Sequence, residues 1–72
     1  MTKEELQLKL GANIVKYRLE KGLKQYELAD KLEIEDSALR RIEKGRTNIS
    51  VWLLQCISEK LEIQVSQLLK FD

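Results

Sequence analysis

Apolar positions recur along this chain at steps of three and four. Leu6, Leu10, Ile14 and Tyr17 or Arg18 advance in that way, with Leu8 and Val15 beside them, and the period predicts an amphipathic helix with a broad apolar face. Thr2 followed by Glu5 has capping-box spacing, in which a hydroxyl and a carboxylate each take a free amide at the helix start. Gly22 closes this helix, because glycine accepts the left-handed conformation without steric cost. Gly11 sits inside it. A glycine there costs about 1 kcal/mol against alanine, which predicts close packing by another element at that point.

Two short helical patterns follow between Gln25 and Gly45. The first puts Leu28, Ala29 and Leu32 on one face. The second turns Leu39 and Ile42 inward and leaves Ser37, Arg40, Arg41 and Lys44 outside. With so few residues between them the helices must cross steeply, and Ala29 is small enough to let the crossing be close. Gly45 supplies the next stop. Arg46-Thr47-Asn48-Ile49 then reads as a loop, and Ser50 as the cap of a further helix. Val51, Leu54, Ile57, Ser58 and Leu61 are its expected inner face, with Trp52 and Cys56 on the flank. A last short helix opens at Val65-Ser66-Gln67. Its neighbourhood holds Ile63, Val65, Leu68, Leu69 and Phe71, more apolar bulk than one small helix can tuck beneath itself. These side chains either complete the monomer core or are shared with a second subunit.

The chain has no proline and only 3 glycines among 72 residues, and its β-branched residues are scattered rather than alternating. The expectation is an all-α chain, one domain over 1–72 with no linker or repeat. That length is near the limit for folding alone, so a dimer interface would help. A lone cysteine, Cys56, and the absence of histidine exclude an internal disulfide and zinc-finger spacing. No metal and no cofactor are expected. An enzyme is disfavoured too: there are no paired metal ligands, no glycine-rich phosphate loop and too little bulk to enclose a pocket. No apolar run reaches bilayer-spanning length, and Met1-Thr2-Lys3-Glu4-Glu5 is no basic leader, so a cytoplasmic protein away from membranes is expected.

The net charge is only +1, which does not fit a nonspecific coater of nucleic acid. Its distribution is more telling. Arg40, Arg41, Lys44 and Arg46 face Glu43 alone between Ser37 and Asn48, whereas Glu27, Asp30, Glu33, Glu35 and Asp36 outnumber Lys24 and Lys31 before them.

The spacing Gly22-Leu23, Gln25, Glu27-Leu28-Ala29, Leu32-x-Ile34 and Leu39-x-x-Ile42-Glu43-x-Gly45, with Arg18 upstream and Ile49-Ser50, Leu54, Ile57 and Leu61 downstream, resembles the phage Cro/repressor-type helix-turn-helix family of DNA-binding regulators. The resemblance covers nearly the whole chain. It implies a compact five-helix domain whose recognition helix, residues 36–44, lies in the major groove of double-stranded DNA. It also implies a structural pair, Arg18 with Glu43, and DNA contacts from Gln25, Asp36, Ser37, Arg40, Arg41, Lys44, Arg46 and Asn48. Three positions depart from the family pattern. Glu33 stands where the turn usually has glycine, Glu35 where a serine or threonine caps, and Asp36 where glutamine often touches DNA.

The function expected on this basis is a sequence-specific transcriptional regulator, a homodimer joined through its C-terminal helices on a palindromic operator. The alternative is a protein-interaction domain of the same fold, antitoxin-like or an adaptor, supported by the acidic cluster of Glu33, Glu35 and Asp36.

Overall fold

Five helices follow one another in the computed structural model, which describes residues 1–71: α1 Lys3–Glu20, α2 Gln25–Leu32, α3 Asp36–Glu43, α4 Val51–Leu61 and α5 Val65–Leu68. No strand occurs among the described residues. At the start of α1 the Thr2 hydroxyl accepts from the Glu5 amide and the Thr2 amide donates to Glu5 Oε1, both at 3.1 Å. Those bonds, the one from the Thr2 backbone foremost, hold the Glu5 carboxyl below its usual pKa. A lowered folded-state pKa means that this cap supports the fold at neutral pH and is lost as the pH falls through that value.

The core is a single cluster of Leu10, Ile14, Leu28, Ala29, Leu39, Ile42, Ile57, Leu61 and Leu68, with every helix contributing. Close packing does occur at Gly11, where an added Cβ would lie 2.6 Å from the carbonyl oxygens of both Ile42 and Glu43. The end of α3 therefore rests directly on the α1 backbone. Gly45 is constrained twice: its φ is +74°, and a Cβ there would meet Leu8 Cα at 2.7 Å.

Two expectations from the apolar pattern need correction, and a third point left open there is narrowed. Leu6 and Leu8 are 38% and 56% exposed, and the buried stripe of α1 begins at Leu10. Val51, the first residue of α4, is 83% exposed rather than inward-facing. The apolar C-terminal stretch is largely absorbed by the monomer. Leu68 is fully buried, Ile63 and Phe71 pack on the core, and Leu69 is left 42% exposed.

Glu33 adopts the left-handed conformation, φ 57° and ψ 42°, at the end of α2. The Ile34 amide then reaches back to the Ala29 carbonyl at 3.0 Å, which closes the helix in a Schellman-type turn. The same device recurs after α4, where Glu62 has φ 58° and Ile63 bonds back to Ser58. Leu-Glu-Ile stands at both places, and each isoleucine packs against the core, which holds the glutamate in its unfavourable backbone region. Glu33→Gly should relieve that cost and stabilise the fold by about 0.5–1 kcal/mol in urea unfolding. A lower stability would show that the glutamate side chain is worth more than the backbone relief.

Candidate nucleic-acid interface

The α2–α3 pair is fixed to α1 by one polar network. Arg18 Nε donates to Glu43 Oε2 at 2.7 Å, and its terminal nitrogens donate to Glu43 Oε1 at 3.3 Å and to the Leu23 carbonyl at 2.9 Å. The two side chains are only 11% and 5% exposed. Gln25, the first residue of α2, also donates its amide to Glu43 Oε1, at 2.9 Å. One carboxylate thus joins α1, the start of α2 and the end of α3. The second N–H of the Gln25 amide has no partner among the described residues.

Because Glu43 is turned inward and paired, the C-terminal part of α3 and the loop after it present basic side chains with no carboxylate among them on the outside. Arg40, Arg41, Lys44 and Arg46 are all exposed, as are Ser37 and Asn48, while Leu39 and Ile42 anchor the opposite side in the core. The spacing of three and four residues sets Ser37, Arg40, Arg41 and Lys44 along one side of a short rod. Thr47 is half-buried between Arg46 and Asn48. The loop itself is held against α1, since Gln7 donates to the Gly45 carbonyl at 3.1 Å.

The opposite end of α3 is acidic. Asp30, Glu33, Glu35 and Asp36 line an open groove of ≈760 Å³ together with Ile34, Ser37 and Arg40. Neither Glu35 nor Asp36 caps α3 through its side chain, and Glu35 occupies the N-cap position with an extended backbone. The carboxylates sit at the positive end of the helix dipole and the arginines near its negative end, an arrangement that favours the helix itself.

Sequence reasoning singled out neither Lys24 nor Tyr26. Both are exposed at the start of α2, beside Gln25. The available signal was a tyrosine one position after the helix start in an otherwise polar turn. Asn13 was missed as well: it donates to the Leu68 and Lys70 carbonyls at 2.8 and 3.0 Å and pins the end of the chain to α1.

Comparison with known proteins gives this arrangement a family. The helix-turn-helix model HTH_3 matches residues 14–68. The HTH-type transcriptional regulator SinR of Bacillus subtilis (strain 168) is 39% identical over 61 residues, which make up 83% of this chain and 55% of SinR. The chain therefore spans about half the length of that curated relative. Among solved structures, the clp gene regulator ClgR from C. glutamicum superposes with a TM-score of 0.87 at 31% identity, covering 89% of this chain and 82% of ClgR. SinR, the master regulator for biofilm formation, in complex with DNA gives a TM-score of 0.78 at 39% identity, over 85% of this chain and 98% of that one.

Proposed function

The chain belongs to the HTH_3 helix-turn-helix family, and on that premise we propose that it is a sequence-specific DNA-binding transcriptional regulator. It acts in the cytoplasm as a homodimer on a palindromic operator, with Asp36–Lys44 in the major groove. The observation that carries this reading is the exposed ridge of Arg40, Arg41 and Lys44, continued by Arg46, at the end of a helix where the one nearby carboxylate, Glu43, is neutralised from behind by Arg18. A rigid helix with a basic outer side meets the electrostatic need of a phosphate-lined groove. The SinR–DNA complex supports it, as does the regulator description shared by SinR and ClgR. No described helix is long and apolar enough to cross a membrane.

Each contact follows from position. Arg41, with Ser37 one turn before it, faces the base edges, and an arginine there can bond to both major-groove acceptors of a guanine. Asp36 can only accept, so where it faces a base it favours cytosine. Arg40 flanks them on the same ridge. Gln25, with the free amides at the start of α2, binds a backbone phosphate. Lys44, Arg46 and Asn48 hold the backbone where α3 leaves the groove. Selection of bound sites from random duplex DNA tests the function: a palindromic consensus supports it, and no enrichment over the input pool overturns it. The acidic groove favours a second reading, a domain that docks a basic protein segment; on that reading the chain passes through a heparin column unretained.

Apolar side chains left exposed on the C-terminal helices support a homodimer contact there. Val51 and Trp52 open α4 with 83% and 76% exposure, and Leu69 follows α5. A second copy on the C-terminal helices would cover them and place two α3 helices about 34 Å apart, one turn of the duplex. Trp52→Glu should therefore give a monomer in sedimentation, with weakened binding to the full palindrome and unchanged binding to a single half-site. A parent chain that is already monomeric both free and on DNA would remove the dimer from the model.

A further inference from the structure

On the side of α1 away from α3, a cavity of ≈300 Å³ opens between α1 and the chain end, lined by Lys9, Ala12, Asn13, Lys16, Tyr17, Lys70 and Phe71. At 3.6 residues per turn, Lys9, Asn13 and Lys16 lie roughly 150–170° around α1 from Gly11 and Arg18, the positions that face α3. The cavity is therefore separate from the proposed DNA surface. It is also preformed, because both N–H groups of Asn13 are spent on the Leu68 and Lys70 carbonyls, which fixes its far wall.

Its chemistry is one-sided. Lys9, Lys16 and Lys70 all line the cavity, and among the described residues no carboxylate lines it and none of the three lysines forms an ion pair. Lys16 Nζ lies 5.2 Å from the centroid of the Tyr17 ring, so its charge is held beside an aromatic face. Tyr17 and Phe71 supply two flat apolar surfaces. Lysines act as point charges toward phosphate, without the planar fork that arginine offers a carboxylate, and aromatic rings offer stacking to a base. The volume stands at the lower end of small-ligand sites.

We propose that this cavity binds a mononucleotide-like phosphate monoester, with the phosphate on Lys9, Lys16 and Lys70 and the base against Tyr17 and Phe71. The proposal does not depend on the DNA-binding reading. A regulatory consequence would: the bound molecule would brace the segment that carries Leu69 and so favour one arrangement of the dimer.

The test is an amide-resolved NMR titration of the full chain with AMP, ribose 5-phosphate and inorganic phosphate in turn. Expected are saturable shifts at Asn13, Tyr17, Lys70 and Phe71, strongest for AMP. The combined Lys9→Gln, Lys16→Gln, Lys70→Gln variant should weaken AMP about tenfold or more as its charges are removed while leaving duplex binding unchanged. All three lysines are exposed, so the variant should fold, and its unshifted core resonances would show that it does. Several outcomes overturn the proposal: no saturable shift, shifts confined to α3 and Gln25, equal affinity for AMP and inorganic phosphate, or a variant that loses duplex binding instead, which would make the cavity a DNA backbone contact.

Discussion

Glu43→Ala should lower the unfolding free energy by about 3–5 kcal/mol, the cost of stranding a largely buried partner charge. The partner is Arg18, 11% exposed, which would keep only the Leu23 carbonyl as an acceptor. Gln25 would lose its bond to the same carboxylate. An exposed ion pair would be worth less than about 1 kcal/mol, so the size of the effect reports how deeply the pair is covered. Arg18→Ala should cost nearly as much, because it leaves the Glu43 carboxylate with Gln25 alone. The combined Arg18→Met, Glu43→Leu variant should recover most of the loss, since apolar groups of similar volume remove the desolvation penalty of both ions. Urea unfolding of the parent, the two alanine variants and the combined Arg18→Ala, Glu43→Ala variant gives the coupling directly. Losses below about 1 kcal/mol for both single variants, with no coupling, would mean that the pair is solvated and leaves α3 unanchored.

The network also explains how much of the structure was legible in the sequence. Helix type and order follow from the three- and four-residue periods, because those periods record the buried faces of Leu10 and Ile14, Leu28 and Ala29, Leu39 and Ile42, and Ile57 and Leu61. The ends of helices are another matter. Leu6, Leu8 and Val51 continue the apolar period, yet they are exposed, and no local pattern encodes whether a neighbour covers a side chain. Glu33 was legible as a left-handed position through the family pattern. Its counterpart Glu62 was visible only as a recurrence of Leu-Glu-Ile.

The candidate site was legible to a similar degree. Exposed basic residues at helical spacing mark the outer side of α3 before any fold is known. The link from Gln25 to Glu43 spans 18 positions, and no periodicity predicts a bond of that kind. The C-terminal excess was real as composition, but Leu68, Ile63 and Phe71 pack into or against the monomer core, which leaves Val51, Trp52 and Leu69 as the large exposed apolar side chains of the C-terminal half.

Arg41→Ala should cost about 1 to 3 kcal/mol on the selected site and relax the choice at one base pair. Arg41 is exposed on the ridge of α3 and makes no ion pair among the described residues, so its removal should leave the fold intact and the whole loss should appear in binding. Lys44→Ala removes a charge from the end of the same helix with a different consequence. All sequences should bind more weakly by a similar factor, and the salt dependence should flatten by about one unit of slope. Asp36→Ala separates two roles of the acidic end. If its carboxylate accepts from a cytosine, the preference at that position loosens; if it only meets the dipole of α3, every duplex binds more tightly as a repulsive charge disappears.

The most direct measurement compares the parent and Arg41→Ala on the selected duplex and on a shuffled duplex of equal length, across a series of salt concentrations. The parent should prefer the selected duplex by about 10³-fold or more, and Arg41→Ala should lose a large part of that ratio while its affinity for the shuffled duplex falls only as one lost charge requires. A parent that binds both duplexes equally, with Arg41→Ala unchanged on either, would contradict a base-reading α3.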